Sequence, residues 1–306
     1  MKHHIILNPK SAGGKTIRRE AAVRKAAERY FTAFTLEQTT CAGDAVAIAR
    51  RAVAEEADAI VVVGGDGTIN EVVNGLAPER GKANSLPVIG MVPSGSGGDF
   101  CRTFDLSNSI EDAFERIAKN EPTLIDVGCI QWANGTQKFF ANIASTGLSA
   151  EIGINTNEAK WLKKINGDLA FNWTIWMTTL RHRRFPLRVR TSRNPDERLW
   201  DSNCIAICNG QYFGSGIRVA READPGDGVF DIAVVHDLKP FGFLKGVTEI
   251  KKDDSKMPEG ITKFQAKWIE ISCDDPEREV LIETDGEASG SLPARFEVIP
   301  GAIRLF

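Results

Sequence analysis

The sequence predicts an N-terminal α/β domain with a parallel sheet, followed by a mainly antiparallel β-sandwich domain. Three observations predict it. Over residues 1–127, short apolar runs alternate with helix-forming stretches, the pattern of a sheet with helices on its faces. After Gly128 the texture changes to short strand-like segments separated by turn residues. Three of the early apolar runs also end in glycine-rich loops.

Taken in order, HIILN (4–8) is a short strand running into the loop NPKSAGGK. Residues 16–30 carry helix formers, and a second helix over about 43–56 opens at Gly43-Asp44. AIVVV is apolar without alternation, which predicts a strand buried on both faces. Thr68–Leu76 reads as a helix with Thr68 as N-cap and Glu71 at the capping-box position. PVIGMV is a further buried run and ends in PSGSGGDF; a helix around 109–119 and the strand TLIDVG follow.

Beyond Gly128, FFANIAS, LRVRTS, NCIAICNG, VFDIAVVHD, KWIEISCDD, EVLIETDG and the tail RFEVIPGAIRLF read as strands. Residues 157–182 are the exception. Trp161, Leu162, Ile165, Leu169, Trp173, Trp176 and Leu180 recur at helical spacing, with a break expected at Gly167.

Composition narrows the function. The net charge of −3 argues against a general nucleic-acid binder. No stretch reaches the ~20 apolar residues of a membrane span, and the first apolar run is too short for an export signal, so a cytoplasmic protein is expected. The six cysteines are scattered, without metal-ligand spacing, and are expected as buried free thiols. The four histidines likewise show no ligand spacing.

The glycine loops carry the chemistry. Asn8–Lys15, Gly64–Thr68 and Pro93–Asp99 each follow a strand, and in an open parallel sheet such loops converge on one edge. Neither standard nucleotide motif is present. GxxxxGK[ST] needs glycine at Pro9, and GxGxxG needs glycine at Phe100. What remains is anion binding by backbone N–H groups at a helix N-terminus, with Thr68 and Ser96 as hydroxyl donors. Asp66 sits inside that turn, where it would repel bare phosphate. A carboxylate there fits a metal-bound nucleotide, or a brace for the turn.

GGDGTINEVVNG, PSGSGGDFCRTF and the later TDGEA, in this order, resemble the diacylglycerol kinase catalytic-domain family. These are bacterial lipid kinases related to sphingosine kinases and, more distantly, to NAD kinases, and the resemblance spans nearly the whole chain. It implies an NAD kinase-like nucleotide-binding domain at 1–127 plus 292–306 and a β-sandwich domain at 128–291. It also implies ATP and Mg²⁺ as cofactors. The matching ATP contacts are Asn8, Pro9, Lys10, Ser11 and Ala12, then Thr39, then Gly65, Asp66, Gly67, Thr68, Ile69, Asn70 and Glu71, and Ser96. Glu287 and Asp285 match the catalytic carboxylates, with Glu287 preferred as general base and Asp66 beside the phosphates. The turn ADPGDGVF matches a structural magnesium site, in which Asp227 would bind the ion by its carboxylate and Asp224 and Val229 by backbone oxygens. Lys15, Asp99 and Asp126 match a charge network. The family usually has asparagine where this chain has Gly98.

The resemblance implies a lipid hydroxyl as acceptor, diacylglycerol or a similar neutral lipid, with transient contact at a membrane surface; it leaves room for a homodimer. Trp173, Trp176 and RHRRF (181–185) suit contact with anionic lipid, or else are core residues and a solvated helix end. Two alternatives stay open: a kinase of a soluble metabolite, and a nucleotide-binding regulator without catalysis.

Overall fold

The computed structural model describes residues 1–94, 98–158, 175–236, 242, 246 and 260–306. Its first half is a parallel sheet of β1 (Lys2–Leu7), β2 (Ala33–Gln38), β3 (Ala59–Gly64) and β4 (Val88–Pro93), in the spatial order β2-β1-β3-β4. The unalternating apolar character of β3 has its cause in two cores. Ile60 and Val62 face one, with Ile48 and Ala52 of α3 (Asp44–Ala54) and Val72 and Val73 of α4 (Asp66–Leu76). Val61 and Val63 face the other, with Val23 and Ala27 of α2 (Glu20–Tyr30) and Phe114 and Ile117 of α6 (Ile110–Lys119). A kinked turn, α1 (Ser11–Gly14), and the short α5 (Asp99–Thr103) complete the helices of this half.

β2 is an element the sequence does not announce. It is the edge strand, exposed or half-buried along its length, so AFTLEQ carries no buried run. α6 is announced well: Ser109 caps it by accepting from Asp112 N at 3.2 Å, with acids in its first turn and Arg116 and Lys119 in its last.

The second half is antiparallel. β5 (Thr123–Gln131), β6 (Gln137–Phe140), β7 (Ile143–Gly147), β8 (Phe185–Thr191), β9 (Arg198–Cys208), β12 (Phe230–His236), β13 (Ile261–Ala266), β14 (Trp268–Cys273), β15 (Leu281–Thr284) and β17 (Ala294–Leu305) share one core, and β16 (Glu287–Ser291) pairs with β15 at the sheet edge. β10 (Tyr212–Phe213) and β11 (Ile217–Arg218) form a small separate ribbon. Phe140 and Phe230 stack at 5.5 Å in the core, and Phe140 fills the space left by the missing Cβ of Gly128.

β17 joins the halves. It pairs antiparallel with β14 at its start, parallel with β4 at its end, and antiparallel with β5 throughout. Both β5 and β17 therefore run from one half into the other, and the expected division at 127/128 falls inside β5. FFANIAS proves to be two strands, because the chain breaks at Ala141-Asn142 between β6 and β7. A helix, α7 (Leu148–Glu158), begins earlier than the expected 157–182. Of that stretch, Trp176 and Leu180 lie in helix over 175–181, while Trp161, Leu162, Ile165, Leu169 and Trp173 lie outside the described residues. Among the described residues no helix is long and apolar enough to cross a membrane.

Candidate active site

The three strand ends meet as the loops require. Asn8 N donates to Val63 O at 2.9 Å, Ser94 N to Gly64 O at 2.7 Å and Thr39 N to Leu7 O at 3.0 Å, so the parallel ladder carries on into the loops. Side chains then lock the crevice floor. Asn8 Nδ2 donates to Thr68 Oγ1 at 2.9 Å, and Lys10 N to Asn8 Oδ1 at 3.0 Å. The Ser11, Thr16 and Ser94 hydroxyls form a chain with 2.6 Å links. Pro9 follows Asn8, and Ala12 begins a left-handed turn with Gly13 and Gly14. Ser96 lies outside the described residues.

α4 begins earlier than Thr68. Gly65 is its N-cap and Asp66 its first residue, where an acid is favourable. Thr68 is buried in the first turn, packed so closely on Gly64 that a Cβ there would stand 2.6 Å from Thr68 Oγ1. Glu71 does not complete a capping box. It accepts from Gly43 N at 2.9 Å and Ala45 N at 3.1 Å, and so caps the neighbouring helix α3. Thr40 and Cys41 in turn donate to Asp44, whose carboxyl is held well below its usual range chiefly by the Thr40 hydroxyl. The side chain of Ile69 lies in the core, and that of Asn70 points to the other half of the molecule.

The three expected catalytic carboxylates divide sharply. Asp66 accepts from Asp99 N and Phe100 N, both at 3.1 Å, and thereby caps α5. Burial pushes it up to about 6 against those two donors, and the charges of Asp99 and Asp285 push the same way. Asp285 is buried and accepts four hydrogen bonds: from Asn70 Nδ2 and Ala141 N at 2.9 Å, and from Asn142 N and Ile143 N at 3.0 Å. Burial raises its pKa, and these donors oppose the rise. Its lone pairs are taken, so it is a brace, poorly placed to accept a substrate proton. Glu287 is exposed, and among the described residues its carboxylate has no hydrogen bond or ion pair. Its Oε1 lies 3.2 Å from where a Cβ on Gly67 would stand, directly against the glycine turn.

The expected network of Lys15, Asp99 and Asp126 separates into independent parts. Buried Asp99 accepts from Arg102 Nη1 at 2.6 Å and from Ser215 N and Gly216 N at 2.8 Å, tying α5 to the β10–β11 loop. Asp126 accepts from Gly228 N and Gly301 N at 2.7 Å, filling the bulge of β17 and docking the acidic turn 224–228. Lys15 is exposed and makes none of these contacts. Gly98 is the left-handed N-cap of α5, and a Cβ there would meet nothing within 4 Å.

In the acidic turn, Asp224 Oδ1 accepts from Gly226 N at 2.9 Å and Asp227 Oδ1 from Val229 N at 3.0 Å. Each keeps its second carboxylate oxygen. Burial raises Asp227, and the charge of Asp224 adds to that. Two exposed carboxylates with adjacent carbonyls suit a hard cation that keeps much of its water, though no group of three acidic, cysteine or histidine side chains gathers here among the described residues.

Two residues went unread in the sequence. Lys138 of β6 donates to Ser289 Oγ at 2.7 Å, and its ammonium feels the charges of Glu287 and Asp285. Glu283 is buried in β15, two residues before Asp285. The acids at 283, 285 and 287, alternating along a strand and its turn, were the available signal. The cysteines are all free; Cys41 is exposed, against expectation. Of RHRRF, His182 pairs with Glu151 at 3.1 Å and Arg184 with Asp201 at 3.2 Å.

The diacylglycerol kinase catalytic domain model matches residues 2–130, and the YegS C-terminal NAD kinase beta sandwich-like domain model matches residues 142–306. The chain is 30% identical to "Probable lipid kinase YegS-like" of Stenotrophomonas maltophilia, over 98% of this chain and 94% of that one. It is 26% identical to "Diacylglycerol kinase" of Mycobacterium tuberculosis, over 86% of this chain and 81% of that one. Among solved structures, "a putative diacylglycerol kinase from Bacillus anthracis str. Sterne" matches with TM-score 0.79 and 26% identity, covering 99% of this chain and 96% of that one. Strand order, loop convergence and these matches agree: the chain belongs to the lipid kinase family whose catalytic unit is the diacylglycerol kinase catalytic domain.

Proposed function

We propose that this protein transfers the γ-phosphate of ATP, with Mg²⁺, to the hydroxyl of a neutral lipid such as diacylglycerol. The observation that carries the reading is Glu287: among the described residues its carboxylate, unlike those of Asp66 and Asp285, makes no hydrogen bond, and it faces the glycine turn at Gly67. The terminal phosphate would lie against the N-terminus of α4, where backbone N–H groups and the helix dipole favour an anion. Glu287 would take the proton of the acceptor hydroxyl as its oxygen bonds to the terminal phosphorus and ADP departs. Asp66 and Asp285 would hold the two sides of the crevice in register. At the acidic turn, the Asp227 carboxylate with the backbone oxygens of Asp224 and Val229 would hold a structural magnesium ion.

A second reading, transfer to a soluble metabolite, draws on the NAD kinase beta sandwich-like description of the second domain. Labelled ATP, incubated with diacylglycerol in mixed micelles or with soluble metabolites, separates the two. Label in the lipid fraction is expected, and label confined to the aqueous fraction would overturn the lipid reading. Glu287→Gln should keep ATP binding and lower turnover about 10²-fold or more; turnover at the wild-type level would remove Glu287 as base.

A further inference from the structure

Glu283 is a buried carboxylate for which the reaction as described has no use. Its two oxygens are committed in different directions. Oε1 accepts from Gly286 N at 2.8 Å, and Oε2 accepts from the buried Ser145 Oγ of β7 at 2.9 Å. α7 closes over it, since a Cβ on Gly153 would stand 3.4 Å from Oε2. Asp285 and Gly286 both have left-handed backbones, with φ of 49° and 88°, and join β15 to β16 as a two-residue hairpin loop. In such a loop the middle N–H has no partner in the strand ladder, and here Glu283 receives it.

A hairpin needs no carboxylic acid at this place. Asn-Gly and Asp-Gly loops form with the middle N–H in water, and a buried carboxylate carries a desolvation cost that its hydrogen bonds must offset. The acid at 283 holds the loop from beneath while Asp285 holds it from the side. The next residue is Glu287.

We propose that Glu283 is a positioning residue of the kinase: by accepting the Gly286 N–H while bound to Ser145 under α7, it fixes the loop that aims Glu287 at Gly67. The inference rests on the reading of Glu287 as general base. It also gives α7 a role, because that helix packs directly on Glu283 through Gly153.

The test compares Glu283→Ala, Glu283→Gln, Ser145→Ala and Glu287→Gln, with ATP and diacylglycerol in mixed micelles. Glu283→Ala should lower kcat by about 10- to 100-fold, the scale of a small misplacement of a reacting group. The KM for ATP should hardly change. Glu283→Gln keeps an oxygen for Gly286 N–H and an amide for Ser145 Oγ, and should restore most of kcat. Ser145→Ala should lower kcat in the same direction but less, and it carries the test if Glu283→Ala does not fold. Wild-type kcat in both Glu283→Ala and Ser145→Ala, with Glu287→Gln inactive, would overturn the inference and leave the base intact. Equal loss in the Ala and Gln variants would overturn it as well, because a hydrogen-bond acceptor would not be the property that matters. Full turnover by Glu287→Gln would instead bring down the reading of the base.

Discussion

Asp285 Oδ2 accepts from Asn70 Nδ2 at 2.9 Å across 215 positions of sequence. This bond joins α4, whose N-terminus forms the glycine turn, to the hairpin that carries Glu287. Three backbone donors complete the carboxylate's shell, from the break between β6 and β7. The crevice is thus held at its base by the same acid that the resemblance matches to a catalytic carboxylate.

Asp285→Asn tests that assignment. Each oxygen of Asp285 receives two donors, so either orientation of an amide sets its NH₂ against two N–H groups. A loss of stability of about 3 kcal/mol or more is expected, the scale of charged hydrogen bonds lost with donors left unpaired. Urea denaturation measures it. An unchanged midpoint with a selective loss of kcat would return Asp285 to the catalytic group.

Asp66→Asn distinguishes a brace from a metal contact. The amide can accept from only one of Asp99 N and Phe100 N, so α5 loses part of its cap, and with it the grip of Asp99 on Ser215 and Gly216. Stability should drop by about 1–3 kcal/mol, and the KM for ATP should rise. Raising Mg²⁺ should not repair the defect. Repair by excess Mg²⁺ would show that Asp66 acts on the metal.

The difference between what was legible and what was not follows from range. AIVVV and PVIGMV are local signals of strands buried on both faces, and the glycine loops that follow them converge because parallel strands end on one edge. The partners of Asp66 and Asp285 are set by contacts 33 to 215 residues apart, which no local pattern encodes. Glu71 shows the same limit within one motif. Its spacing from Thr68 suggests a cap for its own helix, yet packing of α3 on α4 brings Gly43 and Ala45 to it instead. β2 escaped because an edge strand has no obligation to be apolar.

Glu283 should also appear in the pH dependence of stability. Burial pushes its carboxyl from an ordinary 4.5 up to about 7, with Asp285 and Glu287 adding to the rise. The folded state therefore keeps a proton that the unfolded chain releases, and stability falls as pH rises from about 4.5 to 7. The penalty is absent below that window and complete above it, at most about 3 kcal/mol. Glu283→Gln has no proton to lose there. Its stability relative to the wild type should improve by up to that amount between pH 4.5 and 7 and then level off. A wild-type-to-variant difference that stays flat across the window would show that Glu283 ionises as an ordinary carboxylate.

Gly67→Ala separates stability from turnover at the point where the two halves face each other. Gly67 lies in the first turn of α4 with a backbone that alanine can adopt, so helix propensity favours the substitution by up to about 1 kcal/mol. The new Cβ, however, would stand 3.2 Å from Glu287 Oε1, closer than most such contacts. Glu287 is exposed and can swing away, which relieves the contact without disturbing the fold but moves the proposed base off the glycine turn. Stability should be unchanged or slightly higher, while kcat falls about 10-fold or more, the scale of a displaced catalytic group. Thermal unfolding and steady-state kinetics on the same preparation read both. Unaltered kcat in a well-folded Gly67→Ala protein would mean that Glu287 does not work from the position it holds beside the turn.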